Sequence, residues 1–183
     1  WASVHIFEKE LEMRLRTYTS ADAASIRETV LDLHSAVHGG SSDPFLSRER
    51  FSWFYDRWSG KPSWSCVVGF DDEVPTGFAY GASFAPGGWW KGSERPRSVP
   101  EGVPVFGLSE LLVLKEWRKT GTSQRLHDAV VSSRGDEVAT LLVDVAHPKV
   151  VELYERWGYE KMGEQKPFED SPVFGIMVKR LNP

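Results

Sequence analysis

Several hallmarks of other protein classes are missing from this sequence of 183 residues. Its single cysteine, Cys66, lies in an apolar run and is expected in the core, so no disulfide can form within the chain and a reducing, cytoplasmic location is expected. No apolar run reaches the roughly 18 residues of a membrane-spanning helix, so no membrane partner is expected. The net charge of -4 argues against a nucleic-acid partner, because such proteins usually carry a basic stripe.

The composition that remains is that of a globular protein with a sizeable core. Hydrophobic residues make up 40% of the chain and charged residues 26%. We expect residues 1–12 to be an artificial or poorly structured extension, since the first clear strand pattern opens at Met13. Residues 13–183 are expected to form a single domain.

Apolar periodicity predicts a mixed fold with the order β-α-α-β-β-β-α-β-α-β-β. Ser47 is expected to cap the second helix, whereas Pro148 should begin the last helix and Gly158 should end it. A loop of about twenty residues, from 85 to 104, separates the third and fourth strands, and loops of that length are usually functional or mobile.

A polar segment between the fourth strand and the next helix indicates an anion site. It contains two cations, one glycine and three hydroxyl side chains, namely Arg118, Lys119, Thr120, Gly121, Thr122 and Ser123. A helix N-terminus carries unpaired N–H groups and a partial positive charge, and glycine lets a ligand approach the backbone closely. A pyrophosphate would fit there, whereas a polar turn capped by Thr122 or Ser123 is the structural alternative. The phosphate loop of nucleotide hydrolases does not occur.

Downstream of this segment, His147, Tyr154 and the pair Gly158-Tyr159 follow in "HPKVVELYERWGY". Together with the Gly121 loop, they resemble the GNAT superfamily of acyl-CoA-dependent N-acyltransferases. The predicted order of strands and helices over residues 13–181 is similar to that family as well. Ser123 departs from the family pattern, which has Gly or Ala at that position, and His147 replaces a common Asn.

The resemblance implies a fold and a co-substrate. The fold is an α/β (α+β) arrangement: a mixed, mostly antiparallel sheet of about seven strands with four helices, in which strands 4 and 5 splay around acetyl-CoA. No metal is implied. The residues expected to bind acetyl-CoA are Leu111, Leu112, Val113, Arg118, Lys119, Thr120, Gly121, Thr122, Ser123, Gln124, His147 and Tyr154.

The resemblance also implies that acetyl is transferred to an amine by direct attack. Tyr154 is the expected proton donor, because a phenol with a pKa of about 10 is protonated at neutral pH. Glu110 is the expected base, since a carboxylate in the apolar strand "LSELLVL" is costly unless it is paired or functional. The structural alternatives are a core aromatic for Tyr154 and an outward-facing side chain for Glu110.

The acceptor is expected to be a primary amine of a small molecule or peptide. Polyamines, aminoglycoside-like antibiotics, amino-acid-derived metabolites and protein N-termini all remain open, and a homodimer is an option. Trp89, Trp90, His34 and His38 are the expected acceptor contacts; the two histidines lack the His-Glu-x-x-His pattern of a zinc site. A non-catalytic acyl-CoA-binding sensor or assembly module is the alternative, whereas a plain phosphate-binding domain would leave "ELYERWGY" unexplained.

Overall fold

The computed structural model describes residues 13–132 and 134–181, and it contains a seven-stranded sheet with the order β1-β2-β3-β4-β5-β7-β6. The β4–β5 pair is parallel, whereas the β1–β2, β2–β3, β5–β7 and β6–β7 pairs are antiparallel. The strands are β1 (Met13–Thr19), β2 (Ser65–Asp71), β3 (Val74–Ser83), β4 (Val105–Val113), β5 (Val138–Asp144), β6 (Glu160–Gln165) and β7 (Phe174–Arg180).

Four α-helices among the described residues complete the predicted chain order, so the mixed fold expected from the sequence is confirmed. They are α1 (Ala23–His38), α2 (Arg48–Ser59), α3 (Thr122–Ser132) and α4 (Pro148–Arg156). The predicted signals act as expected: the Ser47 side chain accepts a hydrogen bond from the Arg50 N–H, and Gly158 follows α4 with φ +98°. The predicted extension at residues 1–12 lies outside the described residues.

The described chain divides into two compact units. The first unit comprises residues 13–82 and 110–132. Its core contains apolar residues of α1, α2, β2, β3 and the end of β4, among them Val30, Phe51, Phe78 and Leu112. Gly77 allows β3 to approach β4 closely, because a Cβ at that position would lie 2.5 Å from the Leu112 carbonyl oxygen.

The second unit comprises residues 83–109 and 134–181. The β4–β5 ladder covers four residue pairs, from Val105–Val138 to Leu108–Leu141, although β4 continues for five further residues. β5 is buried along most of its length, as its apolar sequence predicts, and its antiparallel ladder with β7 reaches Asp144. The end of the parallel ladder at Leu108 is compatible with the splay implied by the family resemblance.

Arg95 organises the loop from 85 to 104 in the second unit. Its guanidinium donates hydrogen bonds to the carbonyl oxygens of Gly88, at 2.8 and 3.1 Å, of Pro100 and Val103, both at 3.0 Å, and of Glu101, at 3.4 Å. One fixed fork of donors therefore joins both ends of the loop. The loop is a hydrogen-bonded element of this unit, which its length alone did not indicate.

Candidate active site

The segment after β4 adopts an unusual backbone conformation in the first unit. β4 leads through a 3-10 helix, Lys115–Trp117, into the predicted anion loop. Lys119 and Gly121 have φ angles of +60° and +84°. Positive φ is strained for most residues but easily adopted by glycine, which explains why a glycine occupies position 121. Lys119 adopts positive φ at a cost in backbone strain.

The first turn of α3 offers backbone donors. Its first helical hydrogen bond is donated by the Arg125 N–H to the Gly121 carbonyl oxygen, at 3.1 Å. The N–H groups of Thr122, Ser123 and Gln124 therefore have no acceptor within the helix. Arg118 and Lys119 are exposed beside them, so an anion at this helix start would meet backbone donors and two cations.

The threonine hydroxyls of this loop point into the protein and do not face an anion. Thr120 and Thr122 are 5% and 0% exposed, and their hydroxyl oxygens lie 2.7 Å apart. The Thr120 hydroxyl donates to the Trp117 carbonyl oxygen. The loop therefore uses both hydroxyls internally. A contact of Thr120 or Thr122 with acetyl-CoA would use the backbone N–H group and stays a prediction.

Glu110 is a partly buried carboxylate in the second half of β4, and burial raises its pKa from 4.5 to about 7. In the part of the chain that the structure describes, the carboxylate has no hydrogen-bond or ion-pair partner. Leu112, two residues further along the strand, faces the apolar core of the first unit. A carboxyl group in such surroundings can exchange a proton near neutral pH.

His34 and His38 lie close together on α1, with ring centroids 4.7 Å apart. His34 is 3% exposed and stacks on Phe51. Burial, with smaller effects of His38 and Arg48, lowers the pKa of His34 to about 4. Burial and the charge of Arg118 lower the pKa of His38, so the end of α1 is electrostatically coupled to the start of the anion loop.

Tyr154 lies in the second unit, on α4, and is 8% exposed. Its ring makes edge contacts with Trp157, at 5.4 Å between centroids, and with Tyr159, at 5.7 Å. The turn at Gly158 reverses the chain and brings Tyr159 back, where its N–H donates to the Tyr154 carbonyl oxygen at 3.0 Å. Packing therefore fixes the Tyr154 ring, and its role as a proton donor stays a prediction.

His147 is placed at the start of α4 with its side chain 66% exposed. Its Nε2 atom lies 3.6 Å from an Asp144 carboxylate oxygen. The other Asp144 oxygen accepts a hydrogen bond from the Ala146 N–H at 2.9 Å, which forms the turn between β5 and α4. The exposed imidazole is accessible to a ligand, and its contact with acetyl-CoA stays a prediction.

The two neighbouring tryptophans of the long loop are used differently. Trp90 is 8% exposed and its indole N–H donates to the Thr140 hydroxyl at 3.0 Å, so the fold already uses its polar atom. Trp89 is less buried and packs at 6.0 Å from the Phe84 ring. Trp89 also packs against the small apolar core of this unit. Both tryptophans are therefore used by the fold, and their contact with an acceptor stays a prediction.

The structure distributes the predicted site residues over both units. The first unit holds His34, His38, Glu110, Leu111, Leu112, Val113 and the residues from Arg118 to Gln124. The second unit holds Trp89, Trp90, His147 and Tyr154. Arg95 could not be predicted from the sequence, because an arginine in a loop gives no signal until its hydrogen bonds are known.

Two features are absent from the described residues. No group of three or more His, Cys, Asp or Glu among residues 13–132 and 134–181 could hold a metal ion. In the same residues, no helix is both long and apolar enough to cross a membrane.

Comparison with known proteins identifies a family model that matches part of the chain. Residues 100–180 match the sequence model described as "Acetyltransferase (GNAT) domain". This segment includes β4, the anion loop, β5 and α4. No curated protein sequence matches the chain.

Solved structures resemble the chain at low sequence identity. The PaiA N-acetyltransferase from Thermoplasma acidophilum, in complex with coenzyme A, is 14% identical with a TM-score of 0.58, over 92% of this chain and 98% of that one. Arabidopsis thaliana NAA60, in complex with a bisubstrate analogue, is 16% identical with a TM-score of 0.64, over 93% and 99%.

The aminoglycoside N-acetyltransferase AAC(6')-Iy, in complex with CoA, is 16% identical with a TM-score of 0.60, over 86% of this chain and 93% of that one. At such identities these likenesses concern the fold. The resemblance drawn from the sequence is therefore confirmed: the chain has the GNAT fold, and residues 100–180 match the GNAT acetyltransferase domain.

Proposed function

We propose that this protein is an acetyl-CoA-dependent N-acetyltransferase acting on a primary amine of a small molecule or peptide. The family match over residues 100–180 and the shared fold support an acyltransferase. Similar structures are complexes with coenzyme A, which supports acetyl-CoA as the co-substrate. Single-domain organisation over residues 13–183 and a cytoplasmic location stay predictions from the sequence.

The loop after β4 fits a pyrophosphate. The N–H groups of Thr122, Ser123 and Gln124 are available at the helix start, and Gly121, which adopts the left-handed conformation, has no Cβ to crowd the ligand. The backbone of Leu111–Val113 would pair with the extended arm of the co-substrate as an added strand. When bound, acetyl-CoA supplies the acetyl group as a thioester.

The raised pKa of Glu110 is the observation that carries the catalytic proposal. An alkylamine with a pKa of about 10 is protonated at pH 7 and cannot attack until it loses a proton. A carboxyl group with a pKa of about 7 is half ionised at that pH and is a stronger base than an ordinary glutamate. A module that only binds acyl-CoA has no need for such a group in an apolar strand.

Glu110 and Tyr154 together account for the proton transfers that the reaction requires. Glu110 takes a proton from the ammonium group, directly or through one water molecule. The amine nitrogen then attacks the thioester carbonyl carbon: a C–N bond forms and the C–S bond breaks. Tyr154 donates its phenolic proton to the departing thiolate, and the nitrogen's remaining extra proton passes to solvent. The products are the acetamide and free CoA, and solvent restores both side chains.

The test is acetyl transfer by a Glu110→Gln variant across pH, measured by release of the CoA thiol. We expect the variant to lose most activity at pH 7 and to recover part of it near pH 10, where the free amine forms unaided. Glu160→Gln is the matched control, because Glu160 is exposed at the start of β6. An unchanged pH–rate profile in Glu110→Gln would remove Glu110 as the base. Acetyl-CoA binding without transfer to any amine would favour the acyl-CoA-binding module.

A further inference from the structure

A cavity of about 280 Å³ opens at the surface of the second unit. Its walls come from the long loop, the start of β5 and the end of β7, and the lining residues are Ser98, Pro100, Val103, Glu137, Val138 and Arg180. Pockets for drug-sized ligands measure roughly 300–1,000 Å³, so this cavity suits a smaller molecule. The proposed acetyl transfer uses none of the six residues.

Two opposite charges line this cavity, on Glu137 and Arg180, and both residues are exposed. Within residues 13–132 and 134–181, neither side chain has a hydrogen-bond or ion-pair partner. Arg180 pairs with Val138 in the β5–β7 ladder, and Glu137 directly precedes Val138. Paired residues lie at most about 5.5 Å apart and consecutive Cα atoms about 3.8 Å apart, so the Cα atoms of Glu137 and Arg180 are within about 9 Å.

The rest of the cavity wall is largely apolar. Val138 is 4% exposed and belongs to a small apolar core with Val99 and Val105. Val103 packs against the same core, and Pro100 adds a further apolar side chain to the lining. A ligand in the cavity would therefore meet an apolar surface beside two groups of opposite charge.

Backbone hydrogen bonds hold the cavity walls in place. The Arg95 guanidinium donates to the carbonyl oxygens of Pro100 and Val103, both at 3.0 Å. On the opposite side, the Leu181 N–H donates to the Glu137 carbonyl oxygen at 2.9 Å. The walls are fixed before any ligand binds, which reduces the entropy cost of binding.

The cavity and the candidate active-site residue His147 lie at opposite ends of β5. Val138 is the first residue of this strand and Asp144 is the last, and His147 follows shortly after Asp144. At roughly 3.3 Å per residue, the two ends of the strand are about 20 Å apart. A ligand in the cavity is therefore distinct from the acetyl-CoA that is expected beside His147.

We propose that this cavity binds a free α-amino acid with an aliphatic side chain, in addition to the two substrates of acetyl transfer. The amino-acid carboxylate matches the Arg180 guanidinium, and its ammonium group matches the Glu137 carboxylate. The aliphatic side chain covers Val103 and Val138. A simple anion would leave Glu137 without a counter-charge, and a simple cation would leave Arg180 without one. The inference does not depend on the proposed acetyl transfer, because binding is measured without acetyl-CoA.

Calorimetry with three related ligands tests the inference. L-Leucine carries both charges and an aliphatic side chain, 4-methylpentanoate lacks the ammonium group, and glycine lacks the side chain. We expect leucine to bind at least about tenfold more tightly than either analogue, because a charged hydrogen-bonding group and a buried aliphatic group each contribute at least that factor. Equal binding of the three ligands, or no binding of leucine at about 10 mM, would overturn the proposal.

Charge-removing variants locate the bound leucine. Glu137→Gln and Arg180→Gln should each weaken leucine binding at least about tenfold, and Glu137→Gln should also remove the preference for leucine over 4-methylpentanoate. Glu160→Gln and Arg156→Gln are the matched controls, because both residues are exposed in the same unit and lie outside the cavity lining. Wild-type leucine affinity in both cavity variants would place leucine elsewhere on the protein, the acceptor site included, and would contradict the proposal.

Thermal stability separates a binding role of the two charges from a structural one. Without leucine, the melting temperatures of Glu137→Gln and Arg180→Gln should match that of the wild-type protein, because both side chains are exposed. Saturating leucine should raise the melting temperature of the wild-type protein and have little effect on either variant. A fall of more than about 4 °C in both unliganded variants would show that the fold itself uses these charges, and would overturn the proposal.

Discussion

The His34 ring lies flat on the Phe51 ring, with centroids 3.9 Å apart and planes inclined by 2°. Burial against this aromatic surface is the main reason that the pKa of His34 falls to about 4. His34 is therefore neutral at physiological pH and does not compete with Glu110, whose pKa is raised to about 7, for the proton transfer near neutral pH. The two groups have opposite effects on stability, and both effects can be measured.

Glu110 should lower stability as pH rises. Between pH 4.5 and about 7 the folded state holds a proton that the unfolded state has released, so the free energy of unfolding decreases over this window. The loss is at most about 3.5 kcal/mol, from about 1.4 kcal/mol per pKa unit. We expect Glu110→Gln to be more stable than the wild-type protein at pH 8 and similar at pH 4. Urea denaturation at both values checks this; an equal difference at both values would contradict it.

His34 should lower stability as pH falls. Between pH 6.5 and about 4 the unfolded state binds a proton that the folded state excludes, so its contribution is present above pH 6.5 and is lost as pH falls through 4. His34→Phe keeps an aromatic ring beside Phe51 and removes the titration. Its stability relative to the wild-type protein should therefore improve from pH 8 to pH 4, by up to about 3.5 kcal/mol. A constant difference across this range would show that His34 titrates normally.

Tyr154→Phe should lower kcat by about 10²- to 10⁴-fold and leave acetyl-CoA affinity within a few-fold, because it removes a proton donor and keeps the ring. Tyr159→Phe is the matched control: it makes the same change on a buried ring 5.7 Å away and should retain near wild-type turnover. Steady-state kinetics and calorimetry provide both values. Wild-type turnover in Tyr154→Phe would leave Tyr154 as a packing residue only.

Gly121→Val should abolish acetyl-CoA binding, since a branched side chain at φ +84° strains the loop and crowds the pyrophosphate position. Gly135→Val is the control, because nothing lies within 4 Å of a Cβ at Gly135. Asparagine tolerates the left-handed conformation better than valine does, so Gly121→Asn should keep the fold and weaken acetyl-CoA binding. Calorimetry with acetyl-CoA, alongside melting temperatures, separates the two effects. Wild-type affinity in Gly121→Val would contradict a pyrophosphate site at this loop.

The order of strands and helices was determined by the sequence alone, because the signals involved are local. Alternation and helical spacing select the elements, Ser47 caps α2 through its own side chain, and Gly158 ends α4 by adopting a conformation that other residues resist. The glycine and cations of the anion loop are likewise adjacent in sequence. The mixed sheet and the family resemblance could therefore be predicted before any coordinates were known.

The tertiary structure decided how individual side chains are used. The Thr120 and Thr122 hydroxyls bond within the protein, and the Trp90 indole bonds to Thr140, fifty positions away. The raised pKa of Glu110 follows from burial. Burial and hydrogen-bond partners depend on segments far apart in sequence, so a residue's type and spacing show what it could do, and only the packed fold shows which of its atoms remain available.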